Sequence, residues 1–137
     1  MDHWTFADRE PGVRARLTLT IAGVYESLGL LDDAARLAAE ALETSRQAFG
    51  EEHLEVAKAY HVVGDLQRKL GNYGEAEALL TRSAALHEKL LGPINEKVAA
   101  NLNVLAVLYE NWGRFAEAEE VYRRVQEIQK KVPGTKR

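Results

Sequence analysis

The chain has 137 residues, a span that suits one domain. Apolar residues make up 46% and charged residues 28%, and the formal net charge is −3, the balance of an ordinary globular protein. That charge argues against an overall electrostatic grip on nucleic acid or anionic membrane, and the absence of cysteine excludes disulfides, thiolate metal sites and cysteine nucleophiles. Residues 1–10 carry Asp2, Asp8, Arg9 and Glu10 and no apolar core of a secretion signal. The stretch from Leu17 to Tyr25 is interrupted by Thr18, Thr20 and Gly23 and is too short to span a bilayer. The expected compartment is the cytoplasm.

Two glycine series share one register: Gly29, Gly71 and Gly113, then Gly50, Gly92 and Gly134, each at intervals of 42 residues. Such self-similarity marks a repeat architecture. In the first unit, Ile21, Ala22 and Tyr25 lie on one helix, and Leu31, Ala34, Leu37, Ala41 and Leu42 lie on a second, with Gly29 between them. In the second unit, Tyr60, Val63, Gly64 and Gln67 precede Gly71. Tyr73, Ala76, Leu79, Leu80, Ser83 and Leu86 follow it, and Gly92-Pro93 closes the unit. In the third, Leu102, Leu105, Ala106 and Tyr109 form the i, i+3, i+4, i+7 face of a helix. Trp112-Gly113 ends that helix, and Phe115, Ala118, Val121, Tyr122, Val125 and Ile128 mark the next up to Pro133-Gly134. No period-two run bounded by turn residues signals a strand.

Each unit therefore predicts a helical hairpin. Ala22, Gly64 and Ala106 form a small-residue column on the first helices, and Ala34, Ala76 and Ala118 form one on the second. Antiparallel helices approach closely only where side chains shrink, with large neighbours filling the space around. One hairpin cannot bury both its faces, so units stack. The expected fold is all-α, an α-solenoid of three helix-turn-helix repeats over about 13–50, 55–92 and 97–131. Residues 1–12 form an N-terminal segment and 132–137 a short basic tail.

These columns resemble the tetratricopeptide repeat, and the residues carrying the likeness are Leu105-Ala106, Tyr109, Ala118 and Tyr122 in the third unit. Unit two matches through Tyr60, Val63-Gly64 and Ala76, and unit one through Ile21-Ala22, Tyr25, Ala34 and Ala41. The usual proline position instead holds Arg46, Glu88 and Lys130, and the period exceeds the usual ~34 residues. The run Asn101 to Tyr109 with Gly113 and Ala116-Glu117-Ala118-Glu119, and the junction Leu90-Leu91-Gly92-Pro93, resemble the kinesin-light-chain subclass. The resemblance implies a right-handed superhelix whose first helices line an inner groove that holds a peptide.

By repeat position the resemblance places Arg16, Leu19, Thr20, Gly23, Glu26 and Ser27 on that groove in unit one. Unit two contributes Lys58, His61, Val62, Asp65, Arg68 and Lys69, and unit three Ala100, Asn103, Val104, Val107, Glu110 and Asn111. The residues singled out for peptide binding are Arg16, Lys58, His61, Asp65, Arg68, Asn103, Val107 and Glu110. Asn103 suits a peptide backbone, while Lys58, Arg68 and Lys69 suit acidic groups. Arg16 and Lys58 share one column, which favours acidic peptides. The cation set with which one subtype grips a C-terminal carboxylate is not present.

Both ends of the array pose a problem. In register, residues 1–7 are the tail of a preceding second helix, with Trp4 and Phe6 placed to cap the first unit. The last helix leaves Val121, Val125 and Ile128 without a successor. The chain is thus read either as a piece of a longer solenoid or as one that covers these residues by self-association, giving a homo-oligomer through terminal helices.

No catalytic or cofactor chemistry emerges. His3, His53, His61 and His87 lack metal-ligand spacing, and no serine stands in a nucleophile-elbow setting. No phosphate-cradling glycine loop exists, so no cofactor is expected. Glu75, Glu77, Glu117, Glu119 and Glu120 fall early in second helices, where negative charge faces the positive helix end. The leading reading is a non-catalytic scaffold that binds a protein or peptide, with neither a nucleic-acid nor a membrane partner. The alternatives are a self-assembling structural piece and, third, an RNA-binding solenoid.

Overall fold

Five glycines take backbone angles that other residues resist, and they divide the chain into its parts. Gly29, Gly71 and Gly113 have φ between +78° and +87° within the hairpin turns, and Gly50 and Gly92 have φ of +86° and +90° at the unit junctions. A left-handed residue at the end of a helix lets the chain reverse while its last carbonyls stay bonded. The computed structural model describes residues 10–133. Trp4, Phe6, Gly134 and the tail at 136–137 lie outside them.

Six helices result: α1 (Pro11–Ser27), α2 (Leu31–Phe49), α3 (Leu54–Lys69), α4 (Tyr73–Leu91), α5 (Glu96–Asn111) and α6 (Phe115–Lys131). No strand occurs among the described residues. The junction position that follows each second helix is a cap column. His53 Nδ1 accepts from the Glu55 amide at 3.0 Å, Asn95 Oδ1 accepts from the Lys97 amide at 2.8 Å, and Pro11 opens α1 in the same slot. Each choice disposes of amides that helix starts leave unpaired.

The small columns do what close approach requires. Ala22, Ala34 and Ala76 are fully buried, as are Gly64 and Ala106. A methyl on Gly64 would meet the Leu80 side chain at 2.8 Å, so the α3 backbone packs there directly against the Leu80 side chain of α4. Helices pair as α1–α2, α3–α4 and α5–α6, and the pairs join through α2–α3 and α4–α5. In addition α1 touches α3 and α3 touches α5, whereas the backbones of α2, α4 and α6 stay apart, with α6 reaching α4 through the Arg124–Glu88 ion pair at 2.7 Å. The odd helices therefore converge and the even ones splay. Three hairpins stack along a curve, and the odd helices form its inner wall.

Apolar residues at the two ends depart from expectation. Ile21 is exposed although its counterparts Val63 and Leu105 are buried, because that column faces the preceding second helix and α1 has none among the described residues. Phe115 is exposed for the mirrored reason: its counterpart Tyr73 packs on Trp112 of the following unit, with ring centroids 5.9 Å apart. The expectation that α6 leaves Val121, Val125 and Ile128 open does not hold. Val125 and Ile128 are buried with Leu102 and Leu105 in one cluster, and Val121 packs against it partly buried. These residues look back into their own hairpin. The outer side of α6 carries Glu119, Gln126 and Lys130 instead.

Candidate functional site

The inner wall is laced by ion pairs that join successive units. Arg16 of α1 pairs with Glu55 of α3 at 3.2 Å. Lys69 at the end of α3 pairs with Glu26 of α1 and lies 3.5 Å from Asp65. Arg68 pairs with Asp65 at 2.9 Å and donates to Asn111 Oδ1 of α5 at 2.7 Å. The hydrogen bond that Lys69 donates to the Glu26 carboxylate raises the ammonium pKa above its usual value.

Of the residues singled out in the sequence, Arg16, Asp65 and Arg68 are thus engaged within the wall. Glu110 accepts a 2.9 Å bond from the Tyr122 hydroxyl of α6 and so ties down the outer end of the third unit. Asn103 is exposed and Val107 is half-buried. Leu19, placed on the groove by repeat position, is buried against α2 in the core of the first hairpin, since it stands on the side of α1 that carries Ala15 and Ala22.

Lys58 and His61 come together at a pocket of about 430 Å³ between α3 and α5, floored by the last turns of α4. Its lining also includes Leu54, Glu55, His87, Lys97, Ala100 and Asn101. Glu55 is already neutralised by Arg16, while Lys58 and Lys97 are exposed and have no acid partner among the described residues. The pocket therefore presents two uncompensated ammonium groups.

Its floor is polar. Asn101 Nδ2 donates to the Lys97 carbonyl at 2.8 Å, and its Oδ1 lies 2.5 Å from the Ser83 hydroxyl, which also reaches the Ala57 carbonyl at 2.7 Å. His87 Nδ1 lies 2.9 Å from the Ser83 carbonyl, which places its ring proton there and leaves Nε2 as an acceptor. His61 Nδ1 is buried and has no hydrogen-bond partner. Burial lowers the pKa of both imidazoles below the ordinary 6.5. The Asp65 charge and Asn101 oppose that shift at His61. At His87 the Ser83 carbonyl opposes it, and the charges of His61 and Lys97 add to it. Both rings are neutral near pH 7.

Lys97, Asn101 and His87 escaped the sequence reading. Lys97 follows the cap residue Asn95, one turn before the positions assigned to the groove, and His87 sits on an even helix. A signal was nevertheless present. Asn101 occupies the column of Leu17 and Ala59, and Ser83 that of Ala41 and Val125. Polar residues in two apolar columns of adjoining helices mark a polar interior in the second and third units alone.

The tetratricopeptide repeat pattern matches residues 13–89 and 64–131, together nearly all of the described chain. The chain belongs to the tetratricopeptide repeat family. Two crystal structures of a putative kinesin light chain from Podosopora anserina with nearly identical TPR-like repeats are similar to it at TM-score 0.79. They are 25% and 26% identical to this chain, and the matches cover 89% and 88% of it and 57% of each of theirs. BtubC (BKLC) from P. vanneervenii shares the fold at TM-score 0.86 and 23% identity, over 93% of this chain and 50% of its own. This tetratricopeptide repeat protein thus spans little more than half the length of those neighbours. No curated protein matches its sequence. Repeats of this family generally mediate contacts between proteins, and no helix among the described residues is long and apolar enough to cross a membrane.

Proposed function

We propose that the chain is a non-catalytic interaction module that holds an acidic peptide segment along its inner wall, with one carboxylate seated between Lys58 and Lys97. The observation that carries this reading is the pairing pattern. Arg16, Arg68 and Lys69 spend their charge on acids of the wall itself, and only the pocket keeps two cations uncompensated. A carboxylate entering there gains two charge-assisted contacts and meets a neutral floor. The unpartnered His61 Nδ1 supplies a further contact, as a donor once the ring tautomerises or takes up a proton. Asn103 and Val107, farther along α5, would meet the peptide backbone and an apolar side chain.

The test is selection from an array of acidic and basic heptapeptides, followed by fluorescence anisotropy on the winners. Acidic sequences should bind in the micromolar range, about −7 to −8 kcal/mol. Lys58→Glu and Lys97→Glu should each weaken binding at least tenfold with helicity unchanged. Binding should also tighten as pH falls from 7.5 to 6, because a bound carboxylate favours the protonated imidazole. Preference for basic peptides, or indifference to both substitutions, would remove the pocket from the mechanism.

A further inference from the structure

The bottom of the pocket between α3 and α5 holds a group that a peptide carboxylate leaves unused. His87 is only 5% exposed, yet it lines the cavity. Its Nδ1 is engaged by the Ser83 carbonyl at 2.9 Å. Its Nε2 makes no hydrogen bond among the described residues. Nor is it sealed in, since the sealed, unpartnered side-chain atom among them is His61 Nδ1. A lone pair of a buried ring therefore opens on the cavity. No acid among the described residues is placed to meet it. The ionisable groups around it are Lys58 and His61 on α3 and Lys97 on α5. Glu55 is held by Arg16, and Asp65, which faces His61, is held by Arg68 and Lys69. Glu88, next in α4, is held by Arg124 at 2.7 Å.

We infer that the acid seated in this pocket is the phosphorylated side chain of a peptide. The inference rests on the reading of the pocket as the seat of an acidic peptide group. A carboxylate fills that seat incompletely. It carries one charge against two free ammonium groups, and it accepts hydrogen bonds only, so at the floor its lone pairs would oppose that of His87. A phosphoryl ester carries about −1.5 to −2 charges near pH 7 and three terminal oxygens. Two of the oxygens can face Lys58 and Lys97, whose joint charge they match. The third reaches the floor with a partner for His87. The second ionisation of the ester falls near pH 6, so one proton serves both groups: P–O–H donates to Nε2, or the ring takes the proton and donates it back. In both cases Nδ1 keeps the Ser83 carbonyl. Burial, with the charges of His61 and Lys97, keeps the ring neutral without such a ligand. A cavity of about 430 Å³ lies within the ~300–1,000 Å³ of sites that enclose a whole ligand group. A nucleic-acid phosphodiester, with one charge and no proton to share, suits the floor no better than a carboxylate.

The test uses the full chain and heptapeptide libraries with a fixed central phosphoserine, beside matched aspartate and serine versions. In fluorescence anisotropy at pH 7, selected phosphoserine peptides should bind about tenfold or more tighter than their aspartate versions, and serine versions should bind weakest. His87→Gln, which gives α4 the residue that α6 holds in this slot as Gln129, should bring the phosphoserine-to-aspartate ratio to within about threefold. A second readout needs no substitution. In ¹H–¹⁵N spectra, His87 Nε2 should leave the position of a bare imidazole nitrogen when the phosphoserine peptide is added, and should stay there with the serine version. Aspartate versions binding as tightly as phosphoserine would overturn this inference and leave the carboxylate reading standing. Binding by neither library would sink both. A ratio that survives His87→Gln, or an unmoved Nε2, would also overturn it, as would inorganic phosphate displacing the peptide at equal concentration.

Discussion

Gly64 and Leu80 form a matched pair, and a double-mutant cycle measures the match. In the same two columns the first hairpin has Ala22 facing Ala38, whereas the second has Gly64 facing Leu80. A methyl at Gly64 would lie 2.8 and 2.9 Å from two Leu80 carbons and 3.1 Å from the Leu79 Cβ. All three distances fall short of the ~3.5–4.0 Å at which carbons attract. Leu80 is fully buried, so relief requires α4 to shift or Leu80 to leave its rotamer, at a cost of about 1–3 kcal/mol. Against this, alanine gains about 1 kcal/mol over glycine in a helix interior. Gly64→Ala alone should therefore destabilise by roughly 0–2 kcal/mol, despite adding a better helix former.

Leu80→Ala alone opens a cavity and should cost about 2–5 kcal/mol. The double variant reproduces the Ala–Ala pairing of the first hairpin. The two contacts to Leu80 are gone and only the 3.1 Å approach to the Leu79 Cβ remains, so with the helix gain kept the double variant should be up to about 1 kcal/mol more stable than Leu80→Ala. The two changes then couple by about 1–3 kcal/mol in the favourable direction, well above the ~0.5 kcal/mol scatter of independent sites. Urea unfolding followed at 222 nm provides the four free energies, provided the slopes agree among variants. Additivity within ~0.5 kcal/mol would refute the reasoning, since it would mean that α3 and α4 do not touch at this point.

Two further outcomes follow from the polar floor of the pocket. His61 and His87 have folded-state pKa values lowered by burial, so the unfolded chain binds more protons below the ordinary 6.5; stability should be full above that pH and fall as the pH drops through the folded values, and His61→Gln with His87→Gln should flatten the slope in thermal scans between pH 7 and 5. Ser83→Ala removes the hydroxyl shared by the Ala57 carbonyl and Asn101 and should cost about 1–3 kcal/mol, whereas Ser83→Ala with Asn101→Ala, the pairing found as Ala41 and Ala59, should cost no more than the single change; a double variant clearly worse in urea unfolding would show that the amide contributes beyond this bond.

The hairpins, their order and their turns were readable because each rests on a local demand repeated three times. Glycine at a positive φ and alanine at a close approach admit few substitutes, and a 42-residue recurrence averages out the exceptions. The pocket was only half readable. Lys58 and His61 belong to columns that face the inner wall in every unit, so repeat position finds them. Lys97 and His87 face the pocket only because the second and third units meet there, and a column-by-column reading treats units as equivalent. The pairing of Arg16 with Glu55 and of Lys69 with Glu26 was hidden for a related reason. Both join side chains about forty residues apart in sequence, and a column shows which way a residue points, not whether a neighbour has already satisfied it.

The ends separate two kinds of apolar residue that periodicity cannot tell apart. Val125 and Ile128 recur in phase with the repeat, and so does Ile21; by pattern all three are core. Only the direction of stacking distinguishes them. Each second helix presents one side to its own hairpin and another to the next unit, and on α6 that second side is mixed: Gln126 replaces the buried Ala84, while Phe115 in the slot of Tyr73 is exposed. On α1 the corresponding outward side stays apolar, apart from Arg14 in the slot of the buried Val56 and Val98. The outward side of α1 thus has the composition of the sides that α3 and α5 bury against a preceding second helix.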